Sequence, residues 1–249
     1  MTSLSIIIPA YNEQKRIGPT LEAILEFAED READTEVIVI DDGSTDDTVG
    51  VCRSIGGAAV RLISTPTNMG KGHAVRSGML TANGKYRLFT DADGSTPITE
   101  YPALEEALDS MGGSGVAFGS IGARGAKIEQ AQSGLRPSFG KLGNLLIRAL
   151  VLPGVRDSQR GFKLFSADAA EVVFGRSVVN GWGFDVEALA LARRLGYSCV
   201  EIPVTWEHVD GGTLTPAAYV TTLGDVVRVR WRLLFGSYDL RSATVESVT

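Results

Sequence analysis

Two carboxylates one residue apart, in Asp91-Ala92-Asp93-Gly94-Ser95, follow directly on the apolar run Tyr86 to Thr90. At the end of a strand such a pair can ligate a hard divalent cation that keeps waters and bridges a diphosphate, neutralising charge on a leaving nucleoside diphosphate. Two other apolar runs end in polar clusters, Pro9-Ala10-Tyr11-Asn12-Glu13 and Asp41-Asp42-Gly43-Ser44. Asp, Asn, Gly and Ser are ordinary turn residues, so one such end alone is only turn chemistry. Three acidic strand ends point to a site. Lys71 lies in Asn68-Met69-Gly70-Lys71-Gly72, a glycine-rich turn opening a helix, where a cation and free backbone N–H groups suit phosphate. It is no Walker loop, because no Gly-Lys pair is followed by Ser or Thr, and the third glycine of a dinucleotide fingerprint is missing.

The elements that must hold these residues follow from periodicity. Leu4 to Ile8, Glu36 to Ile40, Val60 to Ser64, Tyr86 to Thr90 and Gly115 to Gly119 read as strands, alternating with helical stretches near Ile17 to Ala28, Asp46 to Ser54, Gly72 to Ala82 and Thr99 to Met111. Ser44-Thr45-Asp46 supplies a start signal for the second helix. Alternation of this kind predicts an α/β fold with a mostly parallel sheet flanked by helices, and in such sheets ligands bind beyond the carboxyl ends of the strands. Further on, Leu142 to Leu152 is helix-like, Gly161 to Phe165 is a compact run, Phe184 to Leu195 is an amphipathic helix and Ser198 to Trp206 alternates as one strand. The glycine-rich, basic stretch Ala123 to Ser138 is expected to be a mobile lid.

Composition narrows the classes. Lys plus Arg at 24 against Asp plus Glu at 30 gives a net charge of -6, so no global positive field draws the protein to nucleic acid. Cys52 and Cys199 with His73 and His208 are too few and scattered for a zinc site, and the cysteines are expected as buried thiols. The first residues lack a basic n-region and read as a strand, which predicts no signal peptide and a cytoplasmic protein. Leu145 to Leu152 is broken by Arg148 and closed by Pro153-Gly154, too short to span a bilayer.

The set Pro9 to Glu13, Asp41 to Ser44, Asp91 to Asp93, the block Arg156-Asp157-Ser158-Gln159-Arg160-Gly161-Phe162-Lys163-Leu164-Phe165, and Trp182-Gly183-Phe184-Asp185-Val186-Glu187 resembles family-2 inverting glycosyltransferases. Within that family it is most similar to the dolichyl-phosphate β-glucosyltransferase branch, close to the dolichyl-phosphate mannose synthases. The resemblance runs from about Ser3 to Trp231, and the later blocks carry its specificity. It implies one glycosyltransferase A type domain over 1–215, with a nucleotide half near 1–120 and an acceptor half near 121–215, then an amphipathic helix and tail over 216–249. It also implies transfer of a sugar, with inversion, from a nucleotide sugar such as UDP-glucose to a polyprenyl phosphate, dependent on Mg²⁺ or Mn²⁺. Pro9, Ala10, Tyr11 and Glu13 would border the nucleoside and Asp42 would read the base. Asp91, Ala92 and Asp93 would meet sugar and diphosphate, with both aspartates on the metal. Arg124 and Lys163 would hold phosphate oxygens, Lys71 and Gln159 complete the substrate-binding set, and Asp93 and Asp185 are the catalytic candidates. This chain departs from the family pattern at Arg160, where a cysteine or small residue is expected, at Gly122-Ala123, which displace Arg124, and at Ser95, where mannose synthases carry a glutamine.

A phosphate monoester has a second pKa near ~6 and is mostly dianionic at neutral pH, so such an acceptor needs no strong base. Asp185 can then orient or stabilise as readily as abstract a proton. A lipid acceptor requires contact with a membrane surface. Leu223, Val227, Trp231 and Leu234 fall on one helical face with Arg228, Arg230 and Arg232 interleaved, which suits peripheral binding at the cytoplasmic face, although a helix packed on the domain has the same pattern. Trp182 and Trp206 are read as structural or as borders of the acceptor. A family-2 enzyme with a hydroxyl acceptor and a non-catalytic nucleotide-sugar sensor are the rival functions.

Overall fold

The computed structural model describes residues 2–31, 33–129, 136–209, 216–236 and 238. A seven-stranded sheet runs in the order β3-β2-β1-β4-β7-β5-β8. Its strands are β1 Leu4–Ala10, β2 Thr35–Asp41, β3 Val60–Ser64, β4 Tyr86–Thr90, β5 Val116–Ser120, β7 Phe162–Ser166 and β8 Cys199–Pro203. All neighbours are parallel except β7, which is antiparallel to both β4 and β5. The expected mostly parallel α/β sheet is therefore present. Because β7 enters reversed, its first residues share an edge with the last residues of the other six strands.

The strands are apolar on both faces because helices cover both. Ile6 and Ile8 of β1, Val37 and Val39 of β2 and Leu88 of β4 pack on one side, beneath α1 (Ile17–Asp30), α2 (Thr48–Gly56) and α4 (Tyr101–Ser110). Ile7, Ile38, Ile40 and Phe89 pack on the other, beneath α3 (Lys71–Thr81), α6 (Ala167–Phe174) and α7 (Phe184–Arg194). The period-2 alternation is that of a pleated strand.

Several sequence expectations shift. The second helix begins at Thr48, not Asp46, with Asp47 at the cap position, while the Asp46 carboxylate accepts the Thr48 N–H at 3.1 Å. Ser198 to Trp206 is two strands: β8 stops at Pro203, which has no N–H to extend a ladder, and β9 (Thr205–Glu207) pairs with β6 (Lys127–Glu129). The stretch expected as an irregular lid thus contains β6, and α5 (Arg136–Leu150) starts before its end; residues 130–135 lie outside those described. Both cysteines are free thiols, but only Cys52 is buried as expected; Cys199, at the start of β8, is half-buried. Among the described residues no helix is long and apolar enough to cross a membrane.

The C-terminal helix α8 (Pro216–Leu234) packs on α5 and α7. Val226, Val229 and Leu233 enter the core, whereas Val220, Leu223, Val227, Trp231 and Leu234 form an exposed stripe on the opposite side, continued by Phe235. Arg228 and Arg230 are exposed, but Arg232 lies with its guanidinium 6.0 Å from the Tyr238 ring and does not join the exposed arginines. Residues 239–249 lie outside those described.

Candidate active site

The common strand edge assembles the site. The loop after β1 is tied to the loop after β2: Asn12, in the left-handed region at φ 55, donates its N–H to Ser44 Oγ at 2.9 Å and accepts the Thr45 N–H on Oδ1 at 2.8 Å. Pro9 and Ala10 end the buried β1, and Tyr11 is exposed beyond them. The buried Asp42 is fully engaged, accepting the Met69 N–H at 2.9 Å and the Gly70 N–H at 2.7 Å. Its carboxylate therefore fixes the turn that delivers Lys71. Gly70 is required there, because a Cβ on it would lie 2.4 Å from the Asn180 carbonyl oxygen at a φ of 101.

Five other carboxylates at the edge, Glu13, Asp91, Asp93, Asp157 and Asp185, are paired with cations from the chain itself. Lys71 Nζ donates to Asp91 Oδ1 at 2.5 Å and lies 5.1 Å from the Trp182 ring centroid. Arg16 grips Glu13 through Nε at 2.7 Å and Nη2 at 2.5 Å, and reaches Asp93 Oδ2 through Nη1 at 3.1 Å. Ser95 holds the other Asp93 oxygen through its N–H at 3.1 Å and its hydroxyl at 2.8 Å. Lys163, wholly buried on β7, donates to Asp185 Oδ1 at 2.6 Å and to the Arg160 carbonyl. Arg160 donates through Nε to the buried Asp157 at 2.8 Å.

These pairings set the ionisation. Burial raises the Asp91 carboxyl, but Lys71, Lys163 and Arg160 outweigh it and hold the group below the usual carboxylate range. Burial also lowers Lys71, yet the facing Asp91, Asp185 and Asp93 carry it above its ordinary value, so it remains a cation. For Glu13 and Asp185 burial wins, and both carboxyls are pushed up despite Arg16 and Lys163 respectively.

The arrangement brings Asp91, Ala92, Asp93, Glu13, Lys71 and Asp185 together, and three other expected residues, Lys163, Arg124 and Gln159, are placed differently. Lys163 is engaged by Asp185 inside the protein and has no open face for a phosphate. Arg124 is exposed in the loop after β5, and Gln159 is exposed with its N–H on Asp157. Sequence reasoning missed Arg16, whose spacing of three from Glu13 was its only local signal, and missed the contact of Trp206 with Arg160. The oxygen-only donors of Asp91 and Asp93 fit a hard cation. Their side chains are 29% and 21% exposed, which leaves room for waters and diphosphate oxygens, and positive groups already occupy both. Among the described residues no group of three or more His, Cys, Asp or Glu gathers that could hold a metal ion.

Asp185→Asn should lower unfolding free energy by about 3–5 kcal/mol, because it leaves the Lys163 ammonium buried without its partner. Asp185→Asn with Lys163→Met should recover most of that in urea titrations. Equal stabilities of the single and double variants would contradict the coupling.

Residues 5–174 match the profile of Glycosyl transferase family 2, more than half of the chain. The chain belongs to this family. It is a glycosyltransferase, similar to the dolichyl-phosphate beta-glucosyltransferase of Drosophila melanogaster, at 37% identity over 96% of this chain and 78% of that protein. The Dictyostelium discoideum and Saccharomyces cerevisiae proteins of the same name are each 33% identical, covering 96% and 94% of this chain and 77% and 76% of theirs. Among solved structures, glucosyl-3-phosphoglycerate synthase from Mycobacterium tuberculosis, in complex with Mn²⁺, UDP-glucose and phosphoglyceric acid, superposes with a TM-score of 0.71 at 18% identity, over 92% of this chain and 80% of that one. That likeness shows a shared fold. The same synthase has been solved with Mg²⁺ and UDP.

Proposed function

We propose that this family-2 enzyme transfers glucose, with inversion, from UDP-glucose to a polyprenyl phosphate at a membrane surface. The observation that carries the reading is the name shared by relatives matching nearly the whole chain, dolichyl-phosphate beta-glucosyltransferase. The paired strand-edge charges supply the chemistry. Pro9, Ala10, Tyr11 and Glu13 border the nucleoside, and Asp42 acts on it indirectly by fixing the turn before Lys71. Asp91 and Asp93 would hold Mg²⁺ or Mn²⁺, which would supply charge neutralisation for a leaving diphosphate. Lys71, freed from Asp91, is placed to take a diphosphate oxygen.

In the single displacement, an oxygen of the acceptor phosphate attacks the anomeric carbon opposite the diphosphate. The new carbon–oxygen bond forms as the bond to UDP breaks, and UDP departs with the electron pair. A phosphate dianion brings no proton to remove, so Asp185, tied to Lys163, stabilises and orients the site.

The exposed stripe of α8 fits the headgroup region, with Arg228 and Arg230 beside it to meet anionic lipid. A cavity of about 460 Å³ at the junction of α5, α7 and α8 is lined by Leu150, Pro153, Arg193, Arg230 and Leu234. It lies at the far end of α7 from Asp185, so it belongs to this surface and not to the chemistry. The enzyme would then work peripherally, facing the compartment that holds UDP-glucose, the cytoplasm.

The test is transfer of labelled glucose from UDP-glucose to polyprenyl phosphate in anionic vesicles, with Mn²⁺. Lipid-extractable product is expected, and Trp231→Ser with Phe235→Ser should reduce vesicle binding about tenfold while leaving affinity for UDP unchanged. Transfer to a soluble hydroxyl acceptor in preference to polyprenyl phosphate would overturn the reading.

A further inference from the structure

Three of the four cations that pair the strand-edge carboxylates have clear duties: Arg16 bridges Glu13 and Asp93, Lys71 holds Asp91, and Lys163 is buried on Asp185. Arg160 is different. Its Nε is fixed to Asp157 at 2.8 Å, and its guanidinium carbon lies 4.7 Å from the Trp206 ring centroid. Asp157 is itself pinned, accepting the Gln159 N–H at 3.2 Å. The guanidinium is thus held between a buried carboxylate and an indole, at 28% side-chain exposure, and among the described residues neither terminal nitrogen is hydrogen-bonded. A planar fork pre-ordered in this way, with two donors open, is the arrangement that recognises phosphate.

Its place in the sheet says which phosphate. The loops after β1 and β2, which carry the residues assigned to the nucleoside, lie on the β3-β2-β1 side of β4. Arg160 precedes β7, and Trp206 is on β9 just beyond β8, so both lie on the opposite side. The two halves meet at Asp91, whose N–H donates to the Gly161 carbonyl at 3.0 Å, one residue from Arg160. A dianion brought to this point faces the carboxylates of Asp91 and Asp157 and needs a fixed cation to be held there.

Resting on the function proposed above, we infer that Arg160 binds the phosphate of the acceptor and sets the preference for a phosphorylated acceptor over a hydroxyl one. It is a feature of this chain, since a cysteine or small residue is the expectation at that position.

The experiment measures KM and kcat for polyprenyl phosphate and for the matching polyprenol, with UDP-glucose and Mn²⁺, in wild type, Arg160→Gln and Arg160→Lys. Calorimetry with a short monoalkyl phosphate, added to protein loaded with UDP and Mn²⁺, gives a readout independent of turnover. Arg160→Gln should raise KM for polyprenyl phosphate about 10- to 100-fold and weaken monoalkyl phosphate similarly, with KM for UDP-glucose within about twofold of wild type. Arg160→Lys should fall between, because it keeps the charge and loses the fork. UDP affinity reports folding, and if the glutamine variant fails to fold, the lysine variant alone decides, with an increase of about fivefold or more expected. Wild-type KM and phosphate affinity in a folded variant would overturn the assignment of Arg160 and leave the proposed function standing. Absence of transfer to polyprenyl phosphate by wild type would overturn both.

Discussion

Gly161→Ala should reduce transfer by about 10²-fold or more while the protein still folds. A Cβ at this position would lie 1.9 Å from Asp91 Oδ1 and 2.1 Å from its Cγ, distances no real contact adopts. The backbone cannot relieve the overlap by parting, because the Gly161 carbonyl accepts the Asp91 N–H at 3.0 Å where β4 and β7 meet. The Gly161 φ is not positive, so alanine suits the backbone there and the collision falls on a single side chain. That side chain is the Asp91 carboxylate, which must rotate away and release Lys71. Displacement of about 1 Å at a reacting centre is enough to cost two orders of magnitude, whereas local overpacking costs about 1–3 kcal/mol of stability. Steady-state transfer and thermal melting on the same preparation check both halves. A folded variant with kcat and KM close to wild type would show that the Asp91 position is not what transfer needs.

The contrast between Gly161 and its neighbours shows what was legible from residues alone. The carboxyl ends of β1, β2 and β4 were readable because apolar runs ended in polar clusters, and a parallel sheet places such ends on one edge. The reversed entry of β7 was not readable, since Gly161 to Phe165 looks the same in either direction. Yet that reversal brings Arg160, Gly161 and Lys163 to the edge, and it decides that Lys163 meets Asp185 inside the protein. Charge pairing was hidden for a related reason. Arg16 and Asp93 are remote in sequence, and nothing local in Arg16 reveals that its Nη1 reaches across to Asp93. Asp42 was legible as a site residue, but its partners, the N–H groups of Met69 and Gly70, depend on the loop folding back over β2. Composition reports which chemistry a chain can support; the pairings decide which side chains remain available for it.

Those pairings also determine how the site should respond to loss of metal. Asp91 is paired with Lys71, and Asp93 shares Arg16 with Glu13, so the edge is only partly balanced before a ligand arrives. A diphosphate brings negative charge to the same edge and competes for those cations, which would leave the two aspartates without compensation. At an effective dielectric near 20, unlike or like unit charges about 4 Å apart interact by about 4 kcal/mol, so an uncompensated edge would repel the donor strongly. Binding of UDP-glucose is therefore expected to weaken about 10²-fold on chelation, and transfer to fall below detection. Asp93→Asn removes one charge from the edge while Arg16 stays on Glu13, which holds two of its nitrogens. The variant should accordingly bind UDP-glucose with nearly the same affinity with and without Mn²⁺, and transfer should fall by about 10²- to 10⁴-fold because the departing diphosphate is no longer stabilised. Calorimetry of UDP-glucose against both proteins, each with Mn²⁺ and with chelator, separates the cases. Equal affinity in all four titrations would mean that Lys71 and Arg16 alone balance the diphosphate, and that the acidic pair is held at the strand edge for some purpose other than a metal.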